Sequence, residues 1–265
     1  MYQDFLDFTV GIVKQAAEIQ LGYFRGSDLG IRTKSNVYDV VTRADKESED
    51  FIVRSILERY PDHKILGEEG GYRGNENSDY MWVIDPLDGT TNYSQGLPLF
   101  CISVALQYKR ETIVGVVYAP YVDELFTAVK GGGAYLECRE GEPKRIHVSD
   151  KKGLGPSVIA TGFPYDKDVN PDNNSDNLAR IVPHVRDIRR MGTAAYDICC
   201  VACGFLDGYW EFSLNLWDVC AANLILQEAG GRVTDLAGRN RWPEAGICAT
   251  NGLIHAELLR ELQRQ

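Results

Sequence analysis

At 265 residues, with 44% apolar and 25% charged side chains, the chain has ordinary globular composition and enough length to bury a sizeable core. Its 38 acids against 28 lysines and arginines leave a net charge of −10, which disfavours nucleic acid and anionic lipid as partners, and no basic run exceeds Arg189-Arg190. No apolar stretch reaches membrane-spanning length and the acidic, amphipathic N-terminus does not read as a signal peptide, so a soluble, cytoplasmic protein is expected.

Phe5, Phe8, Ile12, Ala16, Ile19 and Tyr23 recur at helical spacing and predict a helix over residues 3–24, stopped by Gly26-Ser27. A second helix is expected over 43–59, with Thr42 as N-cap and Asp45 three residues later. A short strand at 63–67, a polar glycine-rich loop at 70–78 and a strand at 81–84 come next. Residues 100–108 and 112–118 read as a hairpin across Lys109-Arg110-Glu111, and 124–129 and 134–137 as another around Gly131-Gly132-Gly133. Past Pro156, strands are expected at 157–161 and 187–191, with a helix over 179–184 between them and an Asn- and Asp-rich surface loop at 166–176. Helix 194–203, strand 208–212, helix 219–228, strands 232–234 and 247–249, and helix 254–263 complete the chain. There is no internal repeat. Helices, then a β-meander, then alternating α and β predict a layered α/β (α+β) fold with two sheets. It is read as one domain over 1–265, with a composition shift near residue 150 that divides it into subdomains 1–150 and 151–265.

The seven cysteines include one Cys-x-x-Cys, Cys200 to Cys203, without a nearby histidine, and read as small buried thiols on a helix. His63, His147, His184 and His255 are scattered and form no ligand spacing. Any bound metal is therefore expected to take oxygen ligands.

Acidic residues fall where elements begin or end at four places: Asp45, Glu68-Glu69, Asp85 with Asp88, and Asp218. Singly, each has an ordinary explanation as a helix first-turn acid, a solvated loop or a turn residue. Together they point to chemistry. The apolar run ending at Ile84 is followed by Asp85-Pro86-Leu87-Asp88-Gly89-Thr90-Thr91. Pro86 has no N–H and is expected to end the ladder, so that both carboxylates face a cavity at the strand's C-terminal end. Gly89-Thr90-Thr91 would open a helix whose free N–H groups hold a phosphate, the glycine permitting close approach. Carboxylates beside an anion repel it. A hard divalent metal between them removes that conflict, and Mg²⁺ takes such ligands together with substrate phosphate. Two metals can activate water and stabilise a leaving oxygen.

Competing motifs fail. Asp85, Asp88 and Gly89 do not have EF-hand spacing, and the chain contains neither a P-loop nor G-x-G-x-x-G. The haloacid dehalogenase phosphatases use D-x-D-G-T, whereas this chain has D-x-x-D-G-T, and the added residue re-aims the second carboxylate.

The run Trp82 to Tyr93, WVIDPLDGTTNY, resembles the first signature of the inositol monophosphatase family, and Trp217 to Gly231, WDVCAANLILQEAGG, resembles its second. Gly67-Glu68-Glu69 resembles the upstream metal motif, Asp39 to Asp45 the N-terminal activating segment, and Gly192 to Ala195 with Glu211 the substrate-side elements. Order and spacing match over essentially the whole chain. The resemblance implies an α-β-α-β-α sandwich, usually a homodimer, that binds two or three Mg²⁺ ions and is lithium-sensitive. It assigns Glu68, Asp85 and the Leu87 carbonyl to the first metal, Asp85, Asp88 and Asp218 to the second, and Glu68 to a weaker third. It gives Thr90 and Asp45 the attacking water, Gly89 and Thr90 N–H groups the phosphate, and Asp88, Ala194, Glu211 and Asp218 the alcohol. Lys34 matches a mobile loop near the metals.

The implied reaction is hydrolysis of a phosphate monoester by activated water without a covalent intermediate. Thr91-Asn92, where adenosine bisphosphate phosphatases commonly carry Lys-Glu, favours inositol 1-phosphate, and Glu211 suits polyol hydroxyls. Fructose 1,6-bisphosphatase, histidinol phosphatase and adenosine 3′,5′-bisphosphate phosphatase activities stay open, as does a regulatory or partner-binding role. Cys220 and Asn223 depart from the small residues common in the second signature, which bears on packing.

Overall fold

The computed structural model describes residues 2–139, 141–243 and 245–263. The chain begins with α1 (Gln3–Tyr23), β1 (Arg32–Thr33), β2 (Val40–Val41), α2 (Arg43–Arg59), β3 (Lys64–Gly67), β4 (Gly71–Gly74), β5 (Tyr80–Asp88) and α3 (Thr90–Ser94). A meander follows: β6 (Cys101–Tyr108), β7 (Glu111–Ala119), β8 (Glu124–Val129), β9 (Gly133–Cys138) and β10 (Lys144–Arg145). Then come β11 (Val158–Thr161), α4 (Ser175–Ile181) running into a 3-10 turn (Val182–His184), β12 (Asp187–Arg189) and α5 (Ala194–Ala202). The last elements are β13 (Gly208–Glu211), α6 (Leu216–Glu228), β14 (Arg232–Thr234), β15 (Ile247–Thr250) and α7 (His255–Leu262).

An eight-stranded sheet, ordered β10-β9-β8-β7-β6-β5-β3-β4, and a five-stranded sheet, ordered β12-β11-β13-β15-β14, organise the molecule, with β1 and β2 as a separate pair. The large sheet is antiparallel except where β3 runs parallel to β5. Successive side chains of a strand point to opposite faces. Trp82 and Ile84 of β5 therefore pack with Ile12, Val13, Ile52 and Ile56 of α1 and α2. Val83 packs on the other side with α5 and α6. Both faces are covered, which is why β5 reads as a continuous apolar run. Each large side chain buried in this way contributes roughly 1.5–3 kcal/mol.

Helix α6 lies between the two sheets and is buried from Val219 to Leu226, so it is apolar around its whole circumference. β7 approaches it closely: a Cβ at Gly115 would stand 2.6 Å from the Ala221 carbonyl oxygen. Ile181, Leu258 and Leu262 of α4 and α7 cover the outer face of the small sheet against Ile159, Trp210 and Cys248. The result is the α-β-α-β-α layering expected from the chain. All seven cysteines are free, and Cys199 and Cys200 are buried on α5.

The structure departs from the sequence expectations at several elements. Residues 71–74, expected in a loop, form the edge strand β4 paired with β3; at an edge, backbone pairing needs no apolar pattern. Helix α1 ends at Tyr23, one residue short of the expected end, where Phe24 turns extended (ψ 128°) and Arg25 follows with a left-handed φ of 60°. The loop expected over 166–176 gives way to α4 at Ser175, and its end is anchored. The buried Asn174 amide donates to Thr161 Oγ1 and the Gly162 carbonyl at 2.8 and 2.7 Å and accepts from Trp210 Nε1 at 2.7 Å.

The most consequential departure is at Pro86. The ladder does not end there. Asp85 pairs with Ser103 and Asp88 with Cys101, so three steps on β5 match two on β6, a bulge with one extra residue. In a regular strand, residues three apart face opposite sides. The extra residue cancels that alternation and turns Asp85 and Asp88 toward the same cavity.

Candidate active site

A cavity of about 310 Å³ opens where the C-terminal ends of β5, β11, β12 and β13 meet the starts of α3, α5 and α6. This is the position that open α/β layers offer a ligand. Asp85, Leu87, Asp88, Gly89 and Thr90 line it from β5 and its turn, and Glu68 from the end of β3. Ala194, Glu211 and Asp218 arrive from the far side.

The three aspartates share one design. Asp85 Oδ1 accepts the Leu87 N–H at 2.9 Å, Asp88 Oδ2 the Ala195 N–H at 2.8 Å, and Asp218 Oδ2 the Asn215 N–H at 2.6 Å. Each carboxylate is thus anchored through one oxygen by a backbone N–H. Asp218 is also the third residue of α6 in a capping box with Asn215, so the helix start itself aims it. Burial, then the charges of Glu68, Asp88 and Asp218, push the Asp85 carboxyl well above its usual range. Burial and the neighbouring Glu68 do the same to Asp218, and burial raises Asp88 to about 7.

Asp45 stands behind this group and does not line the cavity. It is the third residue of α2, boxed with Thr42, whose N–H and hydroxyl both reach Oδ2. Its other oxygen, Oδ1, accepts the Thr90 hydroxyl at 2.9 Å. Thr90 Oγ1 is also 3.1 Å from the Leu87 carbonyl oxygen. Burial raises the Asp45 carboxyl to about 6 despite these hydrogen bonds.

Lys34, in the turn between β1 and β2, places Nζ 2.8 Å from Glu68 Oε1 and also contacts Glu69. A residue not singled out from sequence supports this corner. Glu49, one turn after Asp45 on the buried face of α2, accepts the Glu69 N–H at 2.8 Å. A Cβ at Gly67 would sit 2.6 Å from Glu49 Oε2, so a side chain there would displace the carboxylate that holds the Glu69 N–H. The signal was present: Asp45, Ser48 and Glu49 occupy helix positions that should be apolar.

On the far side of the cavity, Glu211 is buried and bonded to the Tyr209 hydroxyl, and burial raises its carboxyl to about 6. Its side chain fills the space where a side chain at residue 162 would stand. Asp197 and Arg190 also line the cavity, as do Phe163, Pro164 and Tyr165 following β11; none of these was identified from sequence. Asp197 comes from the first turn of α5 and the others from loops, and all their positions depend on how the small sheet is ordered.

Donor chemistry bears on whether divalent metal fits. The charged side-chain donors are the carboxylate oxygens of Glu68, Asp85, Asp88 and Asp218, with the Leu87 carbonyl and the Thr90 hydroxyl beside them, and Lys34 is the one cation ion-paired with these acids among the described residues. No three His, Cys, Asp or Glu side chains among those residues form a ready-made cage, Glu68 being drawn onto Lys34. Hard oxygen donors and mutually repelling buried carboxylates nonetheless suit Mg²⁺, which would relieve the repulsion.

A family model described as the inositol monophosphatase family matches residues 1–265. The chain is 42% identical to a Nus factor SuhB of Pasteurella multocida over 246 residues, 92% of this chain and 90% of that one. It is 42% identical to an inositol-1-monophosphatase of Synechocystis over 240 residues, 88% of this chain and 79% of that one. The solved inositol monophosphatase of Anabaena superposes with a TM-score of 0.87 at 40% identity, covering 98% of this chain and 95% of that one. The chain therefore belongs to the inositol monophosphatase family.

Proposed function

We propose that the protein is a Mg²⁺-dependent phosphatase that hydrolyses a phosphate monoester of a polyol, with inositol 1-phosphate as its preferred substrate. The observation that carries this reading is the convergence of Asp85, Asp88 and Asp218 on one cavity that also receives the Thr90 hydroxyl. Glu68, Asp85 and the Leu87 carbonyl would hold one Mg²⁺, and Asp85, Asp88 and Asp218 a second, with Glu68 near a third. When bound, Mg²⁺ supplies positive charge to the phosphate and makes water more acidic.

The chain's own groups do the rest. The N–H groups of Gly89 and Thr90 precede the first hydrogen bond of α3, Tyr93 N–H to Gly89 O, and are free to hold phosphate oxygens. Thr90 Oγ1 accepts a hydrogen bond from the attacking water and passes its own proton toward Asp45 Oδ1. A carboxyl poised at about 6 suits that task near neutral pH. Water oxygen bonds to phosphorus as the ester P–O bond breaks in line, and the alcohol leaves with a proton from solvent. Ala194, Glu211, Asp88 and Asp218 would face the alcohol, and Lys34 would close beside the phosphate end. The homodimer belongs to the same reading and is checked by light scattering, which should return twice the chain mass.

The experiment is phosphate release from myo-inositol 1-phosphate, fructose 1,6-bisphosphate, histidinol phosphate and adenosine 3′,5′-bisphosphate, with and without Mg²⁺. Fastest Mg²⁺-dependent release from inositol 1-phosphate is expected. No Mg²⁺-dependent release from these, nor from a broader panel of esters, defeats the proposal. A second reading, a regulatory role, is favoured by the relative named Nus factor SuhB. It would gain ground if the chain bound a partner equally well with Asp85 replaced by Asn.

A further inference from the structure

Asp197 is a carboxylate that no part of the foregoing chemistry uses. It lies in the first turn of α5, lines the cavity and is 2% exposed. Neither of its oxygens has a hydrogen-bond partner among the described residues: Oδ1 is sealed from solvent, and Oδ2 is the one that keeps some exposure. An acid in a helix's first turn is ordinarily explained by the free N–H groups there. Here those groups are taken: Ala195 N–H goes to Asp88, and Tyr196 and Asp197 N–H go to Thr193. The charges facing Asp197 are Glu211, Asp88 and the cation Arg190. Arg190 is exposed on the cavity edge and makes no hydrogen bond or ion pair with the described residues. Its guanidinium borders the space left by Gly192, where a Cβ would meet Arg190 Nη1 and Asn92 Nδ2 at 2.9 Å each.

A buried carboxylate without a partner costs stability unless something completes it. A hydroxyl can do so, because it donates a proton to an acceptor. A phosphate dianion cannot, and it meets three acids, Asp197, Glu211 and Asp88, against one arginine.

We propose that Asp197 is a specificity residue for the alcohol half of the substrate: its accessible oxygen, Oδ2, accepts a polyol hydroxyl, and with Glu211 it selects a neutral, hydroxyl-rich leaving group over one that carries a second phosphate. Arg190 sets the opposite bias, holding the cavity edge partly open to an added anion. This rests on the phosphatase reading above and names the substrate class of that site.

The test compares kcat and KM of wild type, Asp197→Asn and Arg190→Gln on three substrates. These are myo-inositol 1-phosphate, fructose 1,6-bisphosphate and p-nitrophenyl phosphate, whose leaving group has no aliphatic hydroxyl. For Asp197→Asn, the preference for inositol 1-phosphate over p-nitrophenyl phosphate should fall about tenfold, mainly through KM, as expected for a lost charged hydrogen bond. Its preference for inositol 1-phosphate over the bisphosphate should fall further, because an amide N–H can donate to phosphate. Arg190→Gln should move that second preference the other way. Asp197→Ser replaces Asp197→Asn if the latter fails to fold by circular dichroism, with the same readout. Equal losses on all three substrates, or preferences that do not move, overturn the inference while leaving a phosphatase. Wild type inactive on every substrate overturns the phosphatase reading and this one with it.

Discussion

The Thr90 hydroxyl donates to Asp45 Oδ1 across 2.9 Å, joining the start of α3 to the start of α2. Asp45 is held by Thr42 on its other oxygen, so its only free role at this junction is toward Thr90. Asp45→Asn keeps the shape and loses the proton acceptor. We expect kcat to fall by about 10²–10⁴, the usual range for general-base loss, with the circular dichroism spectrum preserved. Thr90→Ser, which keeps the hydroxyl, should retain far more activity than Thr90→Ala. Equal activity of the two threonine variants would rule out the relay.

Asp85 tests the metal assignment without relying on turnover. Its carboxyl is buried beside Glu68, Asp88 and Asp218 and is raised by all of them. Added Mg²⁺ should raise the wild-type melting temperature, because a ligand that binds only the folded state stabilises it. Asp85→Asn should lose most of that increase and weaken Mg²⁺ in calorimetry by about a hundredfold or more. The variant should melt at or above wild type in metal-free buffer, since one repelling charge is gone. A full Mg²⁺ response in Asp85→Asn refutes its role as a ligand.

His255 predicts a pH dependence away from the cavity. It is fully buried, with Nε2 and Nδ1 each 2.9 Å from the hydroxyls of Thr234 and Thr250. Burial, aided by Arg232, lowers its pKa from 6.5 to about 4. The unfolded chain therefore binds a proton more readily than the folded one between those values. The associated stability is complete above pH 6.5 and is lost as pH falls toward 4, at no more than about 1 kcal/mol per pH unit. Urea unfolding of wild type and His255→Gln should show the difference between them shrinking over that window. A constant difference would show that His255 is not titrating there.

The departures at Cys220 and Asn223 separate once packing is seen. Cys220 Sγ meets Gln107 Nε2 and Thr112 Oγ1 at 3.3 Å. Asn223 is buried in α6 with both amide atoms lacking partners. Asn223→Ala removes two unsatisfied polar atoms at the cost of a small cavity. A net gain of about 1 kcal/mol, read as a melting temperature higher by about 2–4 °C, is expected. A lower melting temperature would mean that an ordered water completes the amide.

The sequence by itself determined the local elements and the identity of the acids. Helical spacing in α1, the capping pair Thr42 with Asp45, and the long apolar run of β5 are short-range signals, readable because each arises within a few residues of chain. Asp85, Asp88, Thr90 and Asp218 could be singled out because carboxylates and a Gly-Thr turn at element ends are chemically conspicuous. Tertiary structure alone decided how they meet. Pro86 looked like a terminator, but pairing with β6 absorbs it in a bulge, and that extra residue turns Asp85 and Asp88 to one side. The edge strand β4 and Asp197 beside Glu211 left little local trace, and Glu49 beneath Gly67 left only a polar residue on a helix face that should be apolar. Their roles depend on strand order and on helices packed from distant parts of the chain, and such long-range pairing has no signature in the spacing of neighbouring residues.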